Sequence, residues 1–150
     1  MSESTTALPI RPLTPSTDAA TLLERCGLPV ADLAHCPSLR LFGVFDGPVL
    51  QAMVGLEAYP PVALLRSLAV VPERRDAGLG KRLVEFMENH ARAEGIEALY
   101  LLTTTAAPFF TRLGYDTIAR DTAPDAIRTT AQFAGLCPAS STFMVKHLPP

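Results

Sequence analysis

Hydrophobic and polar positions along the first sixty residues follow the pattern of strands, with one helix between them. Residues 5–15 hold an apolar patch among three prolines, which predicts a short edge strand. A helix follows, with N-cap side chains at residues 16–18 and an end at Gly27. Residues 39–45 and 49–59 predict two antiparallel strands, because the turn sequence Asp-Gly-Pro lies between them. Between helix and hairpin, the short stretch 31–35 predicts one further helical turn.

The period changes at Gly78 from that of strands to that of a helix. Before Gly78, residues 62–71 are almost wholly apolar, which is typical of a strand buried on both faces. After it, the apolar positions share one face of the predicted helix, and Glu88 belongs to the charged face. Downstream, we predict a strand at residues 96–104, a short helix at 108–113, a strand at 115–120, a late helix at 125–133 and a last strand at 141–148. This order, without repeats or linkers, predicts a single α/β domain over residues 1–150.

Composition excludes several classes of protein. The chain has 150 residues, of which 48% are hydrophobic, enough for one core; only 19% are charged, which favours a buried interface such as that of a homodimer. A net charge of −2 and a pI of about 5.9 predict no general attraction to nucleic acid or to an anionic membrane. No apolar run is long enough for a membrane span, and Met1–Ala7 does not resemble a signal peptide. Three widely spaced cysteines predict no disulfide framework, so we expect a cytoplasmic protein.

The segment 68–82 has the features of an anion site. A buried strand ends in a turn with Gly78 and Gly80, and this turn opens a helix whose first N–H groups are unpaired. Glycines there let a diphosphate approach those N–H groups closely. Four cations against one acid over 74–82 give a local charge of about +3 in a net negative chain. Glycines that serve only the turn would have the same spacing, so the motif needs a second signal.

The second signal is that two sequence motifs of one protein family occur in this chain in the order that the family has. Arg75-Asp76-Ala77-Gly78-Leu79-Gly80 resembles the acyl-CoA loop R/Q-x-x-G-x-G/A of the GNAT (GCN5-related N-acetyltransferase) superfamily. Residues 106–115 resemble the family element A-x-x-[FL]-Y-x-x-L-G-[FY], one helix and one strand later. The resemblance covers about residues 7–148. It implies a mixed, mostly antiparallel seven-stranded sheet that is flanked by helices and splayed in its middle. It also implies acetyl-CoA as co-substrate, direct attack by a primary amine, and no metal.

The resemblance also implies roles for individual residues. The pantetheine arm would pair with the β-strand at residues 68–70, and the backbone N–H of Leu68 or Ala69 would polarise the thioester carbonyl. The diphosphate would lie on the loop that follows. The implied cofactor-binding residues are Leu68, Ala69, Val70, Arg75, Asp76, Ala77, Gly78, Leu79, Gly80, Lys81, Thr103, Phe109 and Phe110.

Three of these positions depart from the family pattern. Asp76 stands where the family often has glycine, so its carboxylate must point away from a diphosphate. Thr103 replaces an asparagine that holds the pantetheine arm in many members. Phe110 replaces the tyrosine that often protonates the departing thiolate, and a phenyl ring donates no proton. The resemblance therefore leaves the acid of the reaction unassigned.

The acceptor side needs a base, because an α-ammonium group is largely protonated at neutral pH. Glu57, in a predicted strand with apolar neighbours, is the candidate base; an outward-facing edge carboxylate is the alternative. Arg66 is a charge inside an apolar strand and must have a partner, either a substrate carboxylate or Glu57. Ser67 beside it either contacts substrate or is an ordinary packed strand residue.

A closer resemblance concerns the substrate. Residues 64–70, 100–106 and 133–141 resemble the arsenic-resistance N-acetyltransferases, a GNAT subgroup. This resemblance implies a small amino acid with an anionic headgroup, such as arsinothricin or phosphinothricin, and a place for Cys137 in the acceptor pocket. Cys26, Cys36 and Cys137 could be imagined as a three-thiolate arsenic site, but acetyl transfer uses no thiolate and we expect structural cysteines.

Two other functions compete with a small-molecule acetyltransferase. A protein or peptide N-acetyltransferase requires an open groove, whereas the segment 133–141 is long enough to cover a small pocket. A non-catalytic module that senses CoA or a metalloid is favoured by one feature, the missing hydroxyl at Phe110.

Overall fold

The strands of the protein form one seven-stranded sheet in the computed structural model, which describes residues 8–34, 36–75 and 78–149. Across the sheet the strands follow the order β1-β2-β3-β4-β5-β7-β6. Every neighbouring pair is antiparallel except β4 with β5. The predicted mixed, mostly antiparallel sheet is therefore confirmed. The strands are β1 (Ile10–Pro12), β2 (Leu39–Asp46), β3 (Val49–Tyr59), β4 (Val62–Val70), β5 (Ala98–Thr103), β6 (Asp116–Thr117) and β7 (Thr142–His147).

Within these described ranges, four α-helices flank the sheet: α1 (Thr17–Arg25), α2 (Leu79–Ala93), α3 (Ala107–Arg112) and α4 (Asp125–Arg128). The predicted cap of α1 is confirmed, because the side chain of Ser16 accepts from the backbone N–H of Ala19 at 3.4 Å. The further helical turn predicted over residues 31–35 is a turn at residues 31–34, and His35 lies outside the described residues. In the described part of the chain, none of the helices is long and apolar enough to cross a membrane.

The two faces of the sheet are covered by different helices. On one face α2 packs against β3, β4 and β5 and forms the largest buried cluster, which includes Val54, Leu65 and Leu83. On the other face α1 covers a cluster around Met53 and Ala69, and α4 covers a cluster around Leu64 and Phe143. Neighbouring residues of β3 and β4 thus belong to opposite faces, as the strand period requires.

The sheet opens between β4 and β5. These two parallel strands pair only where Val62–Leu64 faces Ala98–Tyr100, and β4 continues for six more residues, to Val70, paired with β3 but not with β5. On its other edge β4 carries a bulge, because Met53 pairs with Ala69 whereas Gly55 pairs with Arg66. The bulged Ser67 has φ +59°, a left-handed conformation that is uncommon for a residue with a side chain. The predicted splay in the middle of the sheet is present.

Two predicted elements differ in length. The strand predicted at 115–120 is shorter, since β6 has two residues. The late helix predicted at 125–133 is wrong beyond Arg128: α4 ends there, and a separate π turn covers Gln132–Leu136. The cause is Thr130, whose hydroxyl donates to the carbonyl of Ile127 at 2.7 Å and accepts from the N–H of Phe133 at 3.2 Å. Its side chain thereby replaces helical hydrogen bonds.

Glu88 is buried, although the helical period assigned it to the charged face of α2. Its carboxylate accepts from the hydroxyl of Tyr115 at 2.9 Å and from Nζ of Lys146 at 3.1 Å. Burial, followed by the neighbouring Glu88, raises the pKa of Tyr115 far above its ordinary value. This group anchors α2 to β7 and keeps the hydroxyl of Tyr115 within the core.

Candidate functional site

The unpaired edge of β4 is the first component of the site. The N–H of Val71 donates to the carbonyl of Gln51 on β3 at 2.9 Å. Since backbone groups alternate sides along an antiparallel strand, Ala69 also faces β3, while Leu68 and Val70 face the opening. Both Leu68 and Val70 are half-buried, whereas Ala69 is buried. An extended ligand in the opening would therefore find the backbone groups of Leu68 and Val70.

The N-terminus of α2 is the second component. Gly78 adopts φ +76°, and the first hydrogen bond of the helix runs from Arg82 N to Gly78 O at 3.1 Å. The N–H groups of residues 79–81 thus precede the helical ladder, and no described side chain caps them. A Cβ atom at Gly78 would have no described neighbour within 4 Å, so the space over this turn is open. Asp76 and Ala77, two predicted ligands of the cofactor, lie outside the described residues.

Gly80 shapes the same turn by close packing. A Cβ atom there would lie 3.4 Å from Cζ of Phe109 and 3.9 Å from Cγ2 of Val70. Phe109 in turn contacts the ring of Phe110 edge-to-face, with centroids 5.0 Å apart. The predicted cofactor residues of α3 are therefore packed against the loop that the sequence assigned to the diphosphate.

Arg75 folds back onto the end of β4. Its Nε donates to the carbonyl of Val70 at 3.3 Å, and its NH2 contacts Sγ of Cys26 at 3.5 Å. The guanidinium thus joins the loop to β4 and to the end of α1. Arg74 pairs with Asp46 at 2.8 Å, while Lys81 is exposed. The positive charge of this loop is consequently only partly matched by acids.

Two predicted cofactor residues have other contacts. Oγ1 of Thr103 accepts from the N–H of Ala106 at 3.0 Å and so fixes the start of α3. Phe110 is buried, and its ring meets that of Tyr115 edge-to-face at 5.6 Å. The hydroxyl of Tyr115 points to Glu88 inside the core. Neither aromatic side chain therefore offers a proton to the opening.

Arg66 is the centre of a buried ionic cluster on the sheet face that α1 and α4 cover. Its NH1 and NH2 bind both oxygens of Asp32, at 2.6 and 2.8 Å, and NH1 also binds Oε2 of Glu57 at 2.6 Å. Nε donates to Oγ of Ser67 at 3.0 Å. Arg66 is 5% exposed and Glu57 is 1% exposed. Glu57, one of the two partners predicted for Arg66, is therefore present. Asp32 is a second partner that the sequence did not indicate.

Glu57 is not an outward-facing carboxylate, since it is buried and both oxygens are engaged. Oε1 accepts from the hydroxyl of Tyr59 at 2.7 Å, and Oε2 accepts from Arg66. Burial, followed by the bond to Glu57, raises the pKa of Tyr59 well above its ordinary value, so Tyr59 acts here as a donor.

Asp32 and the segment 132–137 lie on the outer side of the ionic cluster around Arg66. Burial acts to raise the pKa of Asp32, but the hydrogen bonds and the charge of Arg66 outweigh it and hold the pKa below its usual value. Nε2 of Gln132 lies 3.4 Å from Oδ1 of Asp32, and Sγ of Cys137 contacts Oε1 of Gln132 at 3.3 Å. Sequence patterns missed Asp32, Tyr59 and Gln132. One signal could have pointed to Asp32: a charged arginine in an apolar strand needs a carboxylate partner.

The cysteines have three different surroundings. Cys26 contacts Arg75 near the glycine loop, whereas Cys137 contacts Gln132 near the ionic cluster. Burial raises the pKa of the Cys137 thiol, and burial together with Glu57 raises that of Cys36. Both thiols are therefore neutral at pH 7. Within the described ranges, no three His, Cys, Asp or Glu residues are grouped to hold a metal ion.

Comparison with known proteins identifies this arrangement. The sequence model of the acetyltransferase (GNAT) family matches residues 12–115, which include β4, the glycine loop, α2 and α3. The chain belongs to the GNAT acetyltransferase family. The open β4 edge, the bulge and the N-terminus of α2 lie within the part of the chain that matches this family, and the predicted superfamily is confirmed.

Individual relatives agree with this assignment. The chain is 45% identical over 62 residues to an amino-acid acetyltransferase of Pseudomonas syringae, a match that spans 41% of this chain and 14% of that protein. N-acetylglutamate synthase from Neisseria gonorrhoeae, solved with coenzyme A and N-acetyl-glutamate, is similar with a TM-score of 0.76 and 26% identity, over 95% of this chain and 35% of the other. Tetrahymena GCN5 matches with a TM-score of 0.76 at 17% identity, over 95% and 98% of the two chains, which shows the shared fold.

Proposed function

We propose that the protein transfers an acetyl group from acetyl-CoA to the primary amine of a small amino-acid-like substrate. The observation that carries this proposal is the position of Arg66. Its buried guanidinium, which can bind a carboxylate in two-pronged fashion, directly precedes the bulge at the head of the opening. The similarity to amino-acid acetyltransferases, although it spans a small part of their length, supports the same substrate class.

The described residues fit coenzyme A. The N–H groups of residues 79–81, the positive end of α2 and the open space over Gly78 suit a diphosphate. The backbone groups of Leu68 and the N–H of Val70 suit the amides of a pantetheine arm that adds to β4 like a strand, whereas the carbonyl of Val70 already accepts from Arg75. When bound, acetyl-CoA supplies the activated thioester. This chain orients it.

The N–H of Leu68 is our choice for polarising the thioester carbonyl. The bulge places Leu68 next to the opening, and Ala69, the other residue considered from the sequence, faces β3. One preorganised backbone donor at a developing oxyanion is worth roughly 10²–10³ in rate. The strained φ of Ser67 fits this role, since it turns the chain at the point where the donor is needed.

Proton transfer divides between Glu57 and water. Glu57 is the proposed base, and its two oxygens accept from Tyr59 and Arg66, so a proton from the amine reaches it when one of those bonds opens. The leaving thiolate takes its proton from water, because Phe110 has no hydroxyl and Tyr115 donates to Glu88. The amine attacks the thioester carbon, and the carbon–sulfur bond then breaks.

The finer hypothesis is an arsenic-resistance N-acetyltransferase that acts on arsinothricin or phosphinothricin. Two of the three segments that resemble that subgroup lie at the ionic cluster: residues 64–70 supply Arg66, and Cys137 of the segment 133–141 contacts Gln132, which reaches Asp32. Arg120 adds a second guanidinium nearby. It stacks on the ring of Phe133 at 4.5 Å, and its NH1 is buried without a partner among the described residues. Such a cation suits a substrate with an anionic headgroup.

We also propose that the chain acts as one catalytic domain in the cytoplasm. The strands form one sheet on which three buried clusters adjoin, and this supports a single domain. Three free thiols at Cys26, Cys36 and Cys137 suit a reducing compartment.

An acetyl-CoA assay tests the function directly. Release of CoA thiol is measured with L-glutamate, other amino acids, phosphinothricin and arsinothricin, each against its N-blocked form. We expect turnover of at least one free amino acid and none of the N-blocked partners. Acetylation of peptides alone would favour the protein acetyltransferase, and tight CoA binding without any turnover would favour the sensing module.

A further inference from the structure

Asp32 holds Arg66 in the way that a substrate carboxylate would. Two parallel bonds of 2.6 and 2.8 Å join its oxygens to NH1 and NH2, the geometry that arginine uses for carboxylate ligands. The same guanidinium also binds Ser67 through Nε and Glu57 through NH1. Since the fork of Arg66 is filled by Asp32, an acceptor carboxylate finds no free pair of donors there.

The two carboxylates on Arg66 are held very differently. Glu57 lies in the middle of β3, is 1% exposed and has both oxygens bonded. Asp32 lies in the turn 31–34, outside any helix or strand, and its side chain is 12% exposed. Beyond Arg66, its described side-chain contact is the long one from Gln132 at 3.4 Å. Local opening costs least in turns with few such contacts, so Asp32 is the exchangeable partner.

The charge of the cluster leads to the same conclusion. Arg66 contributes +1 and the two carboxylates −2, so the cluster holds a net −1. A third carboxylate added to it would be repelled and left without a donor. A carboxylate that replaces Asp32 keeps both the net charge and the two parallel bonds, and Asp32 moves to water.

We propose that Asp32 is an internal competitor, which occupies the acceptor's carboxylate position on Arg66 until a substrate displaces it. The inference rests on the proposed function and names the group that this site recognises. Departure of Asp32 also breaks its contact with Gln132 in the segment 132–136. Only acceptors that carry a carboxylate would release this contact on binding.

The test compares Asp32→Asn with Asp116→Asn, which removes the same charge from the exposed strand β6. L-glutamate, glutarate and isobutylamine are titrated by calorimetry into each CoA-saturated protein. If Asp32 occupies Arg66 about nine-tenths of the time, its removal lowers the dissociation constant of L-glutamate and of glutarate about tenfold. Isobutylamine, which has no carboxylate, is unaffected, and Asp116→Asn matches the wild type throughout.

Two results would overturn the proposal. One is unchanged or weaker L-glutamate and glutarate binding in Asp32→Asn, which would make Asp32 a ligand of the substrate amine or a structural residue. The other is no binding of either compound to any variant. Asp32→Ser repeats the comparison should the asparagine variant melt early in circular dichroism. If the proposed function is wrong but the role of Asp32 is right, L-glutamate and glutarate still bind tightly to Asp32→Asn, and no amine is acetylated.

Discussion

Replacing Arg66 by methionine tests whether the ionic cluster is a buried, mutually dependent unit. The substitution keeps an unbranched apolar side chain about as long as the aliphatic stem of arginine and leaves Glu57 and Asp32 without their cation. Breaking a buried ion pair by removing one partner costs about 3–5 kcal/mol, because the remaining charge stays in a poorly solvated place. Asp32 can turn to water from its turn, so we assign this magnitude to Glu57 alone.

The assay is urea and thermal unfolding followed by circular dichroism, without CoA. A loss of about 3–5 kcal/mol corresponds to a fall in Tm of roughly 6–20 °C for a chain of this size. The matched control is Arg74→Met, which breaks the largely exposed pair with Asp46 and should cost about 1 kcal/mol or less. The urea m-value should stay the same, since the fold does not change.

A rescue variant makes the test strict. In Arg66→Met/Glu57→Gln/Asp32→Asn the cluster is neutral, and most of the lost stability should return while acetyl transfer remains absent. The reasoning is refuted if the single variant unfolds within about 1 kcal/mol of the wild type, or if the triple variant is no more stable than the single one.

Further predictions concern the glycine loop, the proposed base Glu57, the acceptor pocket and the stability of the fold at acidic pH. Gly80→Val should abolish acetyl-CoA binding in calorimetry, because its Cβ already meets Phe109 at 3.4 Å, whereas Gly135→Val, at an open position, should bind normally. Glu57→Gln should lower kcat by roughly 10²–10⁴ and flatten the acidic limb of the pH–rate profile; an unchanged profile would leave water as the base. Cys137→Ala should change KM more than kcat. Since the folded pKa of Asp32 is lowered, its contribution to stability is present above the unfolded pKa and lost as pH falls below about 4; Asp32→Asn should lose less stability there.

Local features of this chain could be predicted from its sequence. The glycine loop, the helix behind it and the hairpin at Asp46-Gly47-Pro48 depend on residues adjacent in the chain, so turn and cap chemistry identified them. Their places in the structure agree with the predictions within one or two residues. The second block at residues 106–115 then fixed the family, because its spacing requires one helix and one strand in between.

Contacts between distant segments could not be predicted in this way. Asp32 and Arg66 are 34 positions apart in the sequence, and Glu88 and Lys146 are 58 positions apart. The helix and strand periods relate only nearby residues, so they do not predict either contact. The helical period predicted an exposed Glu88 because it takes into account only the residues of α2 and not the segments that pack against them. For Arg66 the sequence did show that a charge in an apolar strand needs a partner, but the partner's position depends on how the turn after α1 folds back.

The bulge in β4 explains how, in the proposed function, one short segment would serve both substrates. Leu65 packs on the α2 face, and a regular strand would place Ser67, Ala69 and Val71 there too. Instead Ala69 and Val71 belong to the opposite, α1 face, while Leu68 and Val70 pack towards α2. One extra residue has therefore shifted the alternation between Arg66 and Leu68. The side chain of Arg66, which precedes the bulge, shares the face of Leu64, whereas the shift turns the N–H of Leu68 towards the opening. In the proposed function, the acceptor at Arg66 and the thioester at Leu68 would therefore meet over three residues.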